Sequence, residues 1–256
     1  YVNSLQEPVA LDAAAEWSVA EAALAPLADQ LACIVFEPVV QGAGGIRMYS
    51  PDFLKRLADW AHAHGIDLIA DEIMTGFGRT GRFFASEYAN IQPDFMCIGK
   101  GLTAGMLPMS AVLTTAKQYD YFYDTYASGR AFLHSHTHTG NALCAAVALE
   151  TLKLMADEKI LDHMPHVASR LHEGLLMIQE QTGALSDIRV LGGVAAALFK
   201  GSRERAGFKL GCAAREYGVL LRPLGDTLYW MPPLNISDEG MNQLIEGTLQ
   251  AMVSTL

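Results

Sequence analysis

Residues 68–105 read LIADEIMTGFGRTGRFFASEYANIQPDFMCIGKGLTAG, and this stretch decides the fold that we expect. It contains one apolar run that ends in Asp71 and Glu72 and a second that ends in Lys100. Short apolar runs bounded by turn residues are typical of strands buried on both faces, as in parallel sheets. Open sheets of this kind bind ligands beyond the carboxyl ends of their strands. The sequence therefore predicts that Asp71 and Lys100 share one crevice at the edge of a mostly parallel sheet.

The sequence before and after this stretch supplies further strands and helices. Residues 31–39 and 109–115 are apolar, β-branched runs that we expect to be strands. A helix is expected over residues 50–65, because Ser50 is a suitable N-cap and Pro51 fits the first helical position. Strands that alternate with helices predict an α/β fold with helices on both faces of the sheet.

The sequence pattern changes after Gly140. An almost wholly apolar helix is expected at 141–158, and such a helix should be mostly buried. The later predicted elements are a helix at 160–181, strands at 188–199, 218–223 and 227–231, and an amphipathic helix after Ser237. We therefore expect two domains: residues 1–150 belong to a large ligand-binding domain, and residues 151–256 form a smaller α+β domain.

The composition of the 256-residue chain is that of a globular protein. Hydrophobic residues make up 51% of it, and no apolar stretch reaches the length that crosses a bilayer. The chain has 18 basic and 28 acidic residues, which argues against nucleic-acid binding as its main activity. Its four cysteines form no C-x-x-C pair, and three of them lie in apolar runs. We therefore expect small core cysteines in a reducing compartment and favour the cytoplasm.

An amine and a carboxylate at neighbouring strand ends suit an aldehyde cofactor. The amine of Lys100 can condense with the aldehyde, while Asp71 pairs with a protonated ring nitrogen and keeps the ring an electron sink. Glycines at Gly99, Gly101 and Gly105 would let the main chain approach a flat ring. Taken alone, a lysine at a strand end is more often a solvated terminus.

The stretch at 68–105 resembles the signature of the class III aminotransferases. In that family an apolar strand ends in Asp-Glu, a Thr-Gly and an Arg-x-Gly follow, and an Asp precedes the Gly-Lys pair by a few residues. Residues 36–45, FEPVVQGAGG, are similar to the family's Glu-Pro and Gly-rich segment, and the resemblance covers essentially the whole chain. It implies the fold-type I α/β fold and pyridoxal 5'-phosphate as cofactor. It also implies that Lys100 is the Schiff-base lysine and proton shuttle, and that Asp71 pairs with the pyridine nitrogen.

Three segments resemble the biotin-pathway branch of this family: VVQGAGGIRMYSP (39–51), DEIMTGFGRTG (71–81) and LLRPLGDTLYWMPPL (220–234). That branch moves an amino group from S-adenosylmethionine to 8-amino-7-oxononanoate and gives 7,8-diaminononanoate. The resemblance implies that Thr137 binds the cofactor phosphate across the interface of a homodimer. It further implies that Arg222 holds the substrate carboxylate, and that Arg79, Tyr229 and Gly101 line the substrate pocket.

Tyr229 separates this branch from other class III enzymes. Ornithine and 4-aminobutyrate aminotransferases carry an arginine just before the Pro-Pro pair, whereas here that place is a tyrosine and the available arginine is Arg222. The difference favours S-adenosylmethionine as amino donor. The alternatives are a class III enzyme acting on an ω-amino acid or polyamine, a decarboxylase or aminomutase with the same cofactor, and a non-catalytic relic.

Some candidate residues also have plainer interpretations. Arg79 could lie in a surface turn, and Arg222 could simply end a strand before a proline. Thr139 stands two residues after Thr137 and competes with it for the role of phosphate ligand.

The alternating histidines His134, His136 and His138 would lie on one face of a strand, as zinc ligands sometimes do. Members of the resembled family carry a histidine near the first of these positions, and the other two look like local variation. We therefore expect no metal site here.

The start of the chain carries an expectation of its own. It begins at Tyr1 rather than Met, and it lacks counterparts of the family's phosphate-binding Gly-Ser turn and ring-stacking aromatic residue. Several strands of the large domain should be missing as well, which would expose a sheet edge and apolar surface. We expect the chain alone to fold poorly or bind cofactor weakly unless the missing half is supplied.

Overall fold

The computed structural model describes residues 13–200 and 205–256. Its first part contains α1 (Ala13–Leu24), β1 (Cys33–Phe36), β2 (Val40–Gln41), β3 (Arg47–Met48), α2 (Pro51–Ala63), β4 (Asp67–Asp71), β5 (Phe95–Ile98), β6 (Ala111–Thr114), α3 (Ala116–Asp120) and α4 (Ala142–Asp157). Its second part contains α5 (Ile160–Thr182), β7 (Leu185–Leu191), β8 (Val194–Phe199), α6 (Ala206–Ala214), β9 (Thr227–Trp230) and α7 (Asp238–Thr255). Short 3₁₀ helices lie between them, including Ala85–Ala89 and Lys100–Thr103.

The larger sheet has the strand order β1-β4-β5-β6, and its first three strands are parallel. Asp71, the last residue of β4, lies opposite Cys97 of β5. The carboxyl ends of these two strands are therefore side by side, which confirms the α/β class and the mostly parallel sheet that the sequence predicts.

The strand β6 departs from the parallel pattern. It runs antiparallel to β5, with Ile98 opposite Ala111. The connection from β5 to β6 contains the 3₁₀ helix Lys100–Thr103 but no α-helix. Because a parallel crossover usually needs a helix to carry the chain back, this short connection turns the strand instead.

The helix α2 begins and ends where the sequence predicts. The hydroxyl of Ser50 accepts a hydrogen bond from the main-chain N–H of Asp52 (3.1 Å), and Pro51 occupies the first turn. Buried residues on its inner face pack against the sheet in one core cluster together with Leu68 of β4; they include Phe53, Leu54, Ala58 and Ala61.

The second part of the chain builds an antiparallel sheet of order β7-β8-β9, covered by α5, α6 and α7. Alternate residues of β8 face different cores. Ala195 and Ala197 join the core of this small sheet, whereas Val194 and Ala196 join the core beneath the large sheet. The expected boundary at residue 150 falls inside α4, and the division into two domains stays a prediction.

The expected strand at 188–199 is a hairpin rather than one strand. The chain reverses at Gly192 and Gly193, between β7 and β8. Gly192 has a φ of +56°, and a Cβ there would lie 2.2 Å from the carbonyl carbon of Thr80. The turn therefore depends on glycine, because any side chain would collide with the loop after β4.

The expected strand at 218–223 is wrong, since Gly218 lies in a turn and residues 219–223 form no strand. These residues pack against two helices instead. A Cβ on Gly211 of α6 would lie 3.0 Å from the carbonyl oxygen of Leu221, and one on Gly247 of α7 would lie 2.3 Å from the Cγ2 of Val219. The sequence analysis also missed α6, whose two glycines weaken the helical pattern.

The expectation that α4 is mostly buried is also wrong. Its buried residues are Cys144, Ala148 and Thr151, whereas Leu143 and Leu149 are 71% and 69% exposed. One face packs against the 3₁₀ helix that begins at Lys100, and the described residues leave the opposite face uncovered. For all its apolar residues, neither α4 nor any other helix in the described ranges has the length and hydropathy that a membrane-spanning helix requires.

Candidate active site

The ends of β4 and β5 bring a carboxylate and an amine to one edge of the large sheet. Asp71 is half-buried, and its Oδ1 accepts a hydrogen bond from the main-chain N–H of Ile73 (3.0 Å). Among the described residues, no hydrogen-bond donor occupies its Oδ2. Lys100 follows Ile98, the last residue of β5, by two positions, and its side chain is exposed. One carboxylate oxygen and one primary amine are thus available to a ligand at adjacent strand ends.

The negative charge of Asp71 also acts on Cys97, in the neighbouring strand β5. Burial raises the pKa of the Cys97 thiol, and the negative charge of Asp71 raises it further. A ligand cation held between the two strands would lie in the same field.

The main chain at Lys100 adopts a left-handed conformation, with a φ of +40°. Phe77, in the loop after β4, has a φ of +56°. For residues other than glycine this region costs on the order of 1 kcal/mol, so surrounding contacts must hold both residues in place. Gly101 provides such a contact, because a Cβ there would lie only 3.0 Å from the Cβ of Phe77.

A cavity of about 410 Å³ opens beside Lys100. The segment after β4 contributes Phe77 and Arg79 to its wall, and the segment after β5 contributes Gly101. The junction between α4 and α5 and the residues around Leu234 complete the lining. Lys100, Gly101 and Arg79 therefore line one cavity, whereas Asp71, which the sequence places in one crevice with Lys100, is not among its lining residues.

Arg79 enters this cavity as a half-buried cation. Its Nη1 donates to the carbonyl oxygens of Pro232 (2.7 Å) and Gly193 (3.1 Å). Burial lowers the pKa of its guanidinium to about 10, so the group is still charged at neutral pH. No acidic residue of the described chain forms an ion pair with it. A ligand carboxylate would supply the missing counter-charge.

Arg222 and Tyr229 line a second cavity of about 410 Å³ rather than the first. Arg222 is exposed, and Tyr229 is half-buried in β9 opposite Ala196. Pro233 lines both cavities, and the neighbouring Pro232 accepts the hydrogen bond from Arg79. The two groups of predicted substrate residues therefore lie on either side of the Pro232–Pro233 segment.

Thr137 lies apart from both cavities, in an exposed loop before α4. Its hydroxyl has no hydrogen bond to the described residues, whereas the hydroxyl of Thr139 accepts one from the main-chain N–H of His136 (3.0 Å). The hydroxyl of Thr137 thus makes no hydrogen bond to the described residues, while that of Thr139 accepts one and keeps its own proton to donate.

Glu72 and Phe77 are not among the site residues that the sequence predicts, although both lie within residues 68–105. Glu72 is fully buried, and Phe77 is buried against Gly101 at the wall of the Lys100 cavity. The Asp-Glu pair was a usable signal for Glu72, because a second carboxylate directly after a buried strand needs hydrogen-bond donors nearby.

The available groups fit pyridoxal 5'-phosphate. An exposed primary amine can take up an aldehyde, and a neighbouring carboxylate with a free oxygen can accept from a protonated ring nitrogen. The free hydroxyl of Thr137 is of the right type for a phosphate, but it lies outside the cavity that holds Lys100.

Comparison with known proteins shows the family of the chain. The chain belongs to the aminotransferase class-III family, whose model matches residues 6–252. Among its relatives are adenosylmethionine-8-amino-7-oxononanoate aminotransferases of Synechococcus elongatus, 42% identical over 89% of this chain, and Geobacter sulfurreducens, 40% identical over 86%. The matches cover 53% and 50% of those proteins, so the chain spans about half the length of the curated relatives it matches.

Solved structures show the same fold. The adenosylmethionine-8-amino-7-oxononanoate aminotransferase of Methanocaldococcus jannaschii superposes with a TM-score of 0.87 at 26% identity, over 93% of this chain and 57% of that one. An amine transaminase from an uncultivated Pseudomonas species, solved in its PLP-bound form, gives a TM-score of 0.86 at 29% identity. That match covers 95% of this chain and 57% of the other.

Proposed function

We propose that this chain carries the cofactor lysine and part of the substrate pocket of a pyridoxal-phosphate-dependent aminotransferase. One observation supports this most directly: Asp71 and Lys100 stand at the carboxyl ends of adjacent parallel strands in a chain of the class III family. Since the chain spans about half the length of its relatives, the activity, the substrates and the partner are all part of this proposal.

Each of the two residues has a separate task. Asp71 accepts a hydrogen bond from the ring nitrogen and keeps it protonated, using the oxygen that Ile73 leaves free. The Nζ of Lys100 would hold the cofactor through its aldehyde group and, once released, would act as the base that takes a proton from the carbon bearing the donor's amino group. The bound cofactor supplies a conjugated ring that accepts the electrons of the broken C–H bond.

The arginines orient the substrates by their carboxylates. Arg79 is already held by two carbonyl oxygens, so it offers a fixed cation at the wall of the Lys100 cavity. Arg222 is exposed in the neighbouring cavity beside Tyr229 and has more freedom to follow a substrate. A planar guanidinium suits a carboxylate because it donates two parallel hydrogen bonds.

The reaction that we propose is amino transfer from S-adenosylmethionine to 8-amino-7-oxononanoate, which gives 7,8-diaminononanoate. The names of the relatives at 40% and 42% identity support it. Tyr229 supports it as well, since an enzyme with an arginine at that place would hold an α-carboxylate there.

A second copy of the chain is part of the same proposal. Thr137 is exposed, has an unbonded hydroxyl and lies outside the linings of both cavities, as expected of a group that serves a neighbouring subunit. Apolar residues around it are also exposed, including Phe132, Leu133 and Leu143. A second copy, with Thr137 at the partner's cofactor phosphate, would cover them. A particle of twice the 27.7 kDa chain mass in light scattering is the expected result, and a monomer would count against this part.

The proposed reaction is tested by its product. Protein loaded with pyridoxal phosphate is mixed with 8-amino-7-oxononanoate and one donor at a time, and 7,8-diaminononanoate is measured by mass spectrometry. We expect product with S-adenosylmethionine and none after Lys100→Ala. Product with 4-aminobutyrate or a polyamine but not with S-adenosylmethionine would overturn the donor. Failure of every donor would overturn aminotransferase activity for this chain.

A further inference from the structure

Glu72 is a fully buried carboxylate beside the candidate site. Its Oε1 accepts from the main-chain N–H and the hydroxyl of Ser86, both at 2.7 Å. Its Oε2 accepts from the hydroxyl of Thr75 (2.6 Å) and the main-chain N–H of Ala85 (3.1 Å). The main-chain N–H of Glu72 donates in turn to the carbonyl oxygen of Cys97 on β5 (2.9 Å).

This hydrogen-bond set specifies a carboxylate and not its amide. Main-chain N–H groups can only donate, and one of them reaches each oxygen of Glu72. No lysine, arginine or histidine of the described chain forms an ion pair with it. The charge of Glu72 is therefore satisfied by main-chain N–H and hydroxyl donors. Replacing the carboxylate is costly, because each lost hydrogen bond leaves a buried polar group unpaired.

The groups that Glu72 binds are the two ends of one loop. Thr75 begins it, and Ala85 and Ser86 end it at the 3₁₀ helix Ala85–Ala89. Between these ends lie Phe77 and Arg79, the two residues that this loop contributes to the Lys100 cavity. Closing the loop at its base therefore fixes where both side chains stand.

The loop in turn supports the main chain that carries Lys100. Phe77 packs over Gly101 so closely that a Cβ on Gly101 would lie 3.0 Å from it. Lys100 is held next to this contact at a φ of +40°, a conformation that relaxes unless neighbours hold it. A shift of the loop would release Phe77 from Gly101 and allow Lys100 to leave that conformation.

We propose that Glu72 is a positioning residue: by closing the loop between Thr75 and Ser86, it holds Phe77 against Gly101 and so fixes Lys100 for its reaction with an aldehyde cofactor. The proposal rests on the proposed function for the role of Lys100. The structural part of the proposal, that Glu72 positions the main chain at Lys100, follows from the contacts alone.

The test compares Glu72→Gln with Glu87→Gln. In Glu72→Gln the new amide would present its NH₂ group to one main-chain N–H, so one end of the loop must move. Glu87 lies in the same loop region and accepts a single main-chain hydrogen bond, from Phe84 (2.8 Å), at an exposed site, and a glutamine oxygen can replace that bond. The rate at which pyridoxal phosphate becomes fixed to Lys100 under borohydride is measured for both, together with amide exchange of Leu102, which donates to Gly99 in the turn that holds Lys100.

We expect capture at Lys100 to slow by about tenfold or more in Glu72→Gln and to change by less than about twofold in Glu87→Gln. Exchange at Leu102 should rise in Glu72→Gln at temperatures where the protein is folded, while strand amides of β1 and β4 stay protected. A role in stability alone would lower the melting temperature and leave capture by the folded protein unchanged, and that result would overturn the proposal.

Two further outcomes are decisive. If Glu72→Gln does not fold, Ser86→Ala replaces it, because it removes one donor and keeps the main-chain bond; a smaller slowing in the same direction supports the proposal, and no slowing overturns it. If the unaltered protein never fixes pyridoxal phosphate at Lys100, the proposed function fails. In that case amide exchange of Leu102 alone tests the positioning role of Glu72: faster exchange in Glu72→Gln supports it, and unchanged exchange overturns it.

Discussion

Two segments that carry candidate cofactor residues differ sharply in how the chain holds them. The lysine segment, residues 68–105, contains Asp71 and Lys100 and is anchored by the buried Glu72. The threonine segment, residues 119–141, contains Thr137, and there Tyr126 is 97% exposed and Leu133 is 91% exposed. Contacts within the lysine segment and with the sheet fix it, whereas the threonine segment offers its apolar side chains to whatever lies outside this chain.

The difference separates a segment that this chain holds with its own contacts from one that it leaves exposed. In the lysine segment, Glu72 closes the loop between Thr75 and Ser86 with hydrogen bonds that lie wholly within the segment. The threonine segment exposes large apolar residues that a soluble protein normally covers. Matched substitutions in the two segments test this contrast.

The largest expected effect comes from a matched pair of phenylalanines. Phe77 is buried and contacts Phe83 and Phe84 edge to face, with ring centroids 5.6 and 5.7 Å apart. Phe77→Ala should lower the free energy of unfolding by about 3–5 kcal/mol, because it leaves a cavity in a packed cluster. Phe132→Ala, at a ring of the threonine segment that is exposed in the single chain, should change the free energy of unfolding of the monomer by less than about 1 kcal/mol. Urea unfolding measures both, and equal costs would contradict the contrast.

A smaller effect is expected at Gly101, where there is no room for a methyl group beside Phe77. Gly101→Ala should cost about 1–3 kcal/mol through overpacking. The same substitution in a Phe77→Ala background should be nearly neutral, because the new cavity accepts the methyl group. A double-mutant cycle reports this coupling, and additive costs would show that Phe77 and Gly101 are not in contact.

The smallest effect on stability is expected at the two threonines. Thr137→Ala should change the free energy of unfolding by less than about 0.5 kcal/mol, since its hydroxyl has no partner among the described residues. Thr139→Ala removes the hydrogen bond from His136 and should cost about 0.5–1.5 kcal/mol. For pyridoxal phosphate affinity we expect the opposite order, because Thr137→Ala should weaken binding more than Thr139→Ala. A larger loss of affinity in Thr139→Ala would assign the phosphate to Thr139.

The sequence predicts best those features that local chemistry determines. Ser50 and Pro51 mark the start of α2, and the apolar runs before Asp71 and Lys100 mark β4 and β5. The α/β class and the class III family follow from the stretch that joins them.

Features set by distant contacts could not be predicted. Arg79 donates to Gly193 and Pro232, which are far along the chain, so no local pattern signals its burial. The apolar composition of α4 indicates burial, but the exposure of Leu149 depends on which surfaces are present to cover it. Whether Arg222 and Lys100 share a cavity likewise depends on the packing of the Pro232–Pro233 segment between them.

The central claim is that Lys100 takes up the cofactor aldehyde in the half of the site that this chain builds alone. The most direct measurement is reduction of the protein with borohydride in the presence of pyridoxal phosphate, followed by peptide mapping. We predict one modified residue, Lys100, with the label lost after Lys100→Ala and retained after Thr137→Ala at saturating cofactor. A label on another lysine, or no label on folded protein, would contradict the account.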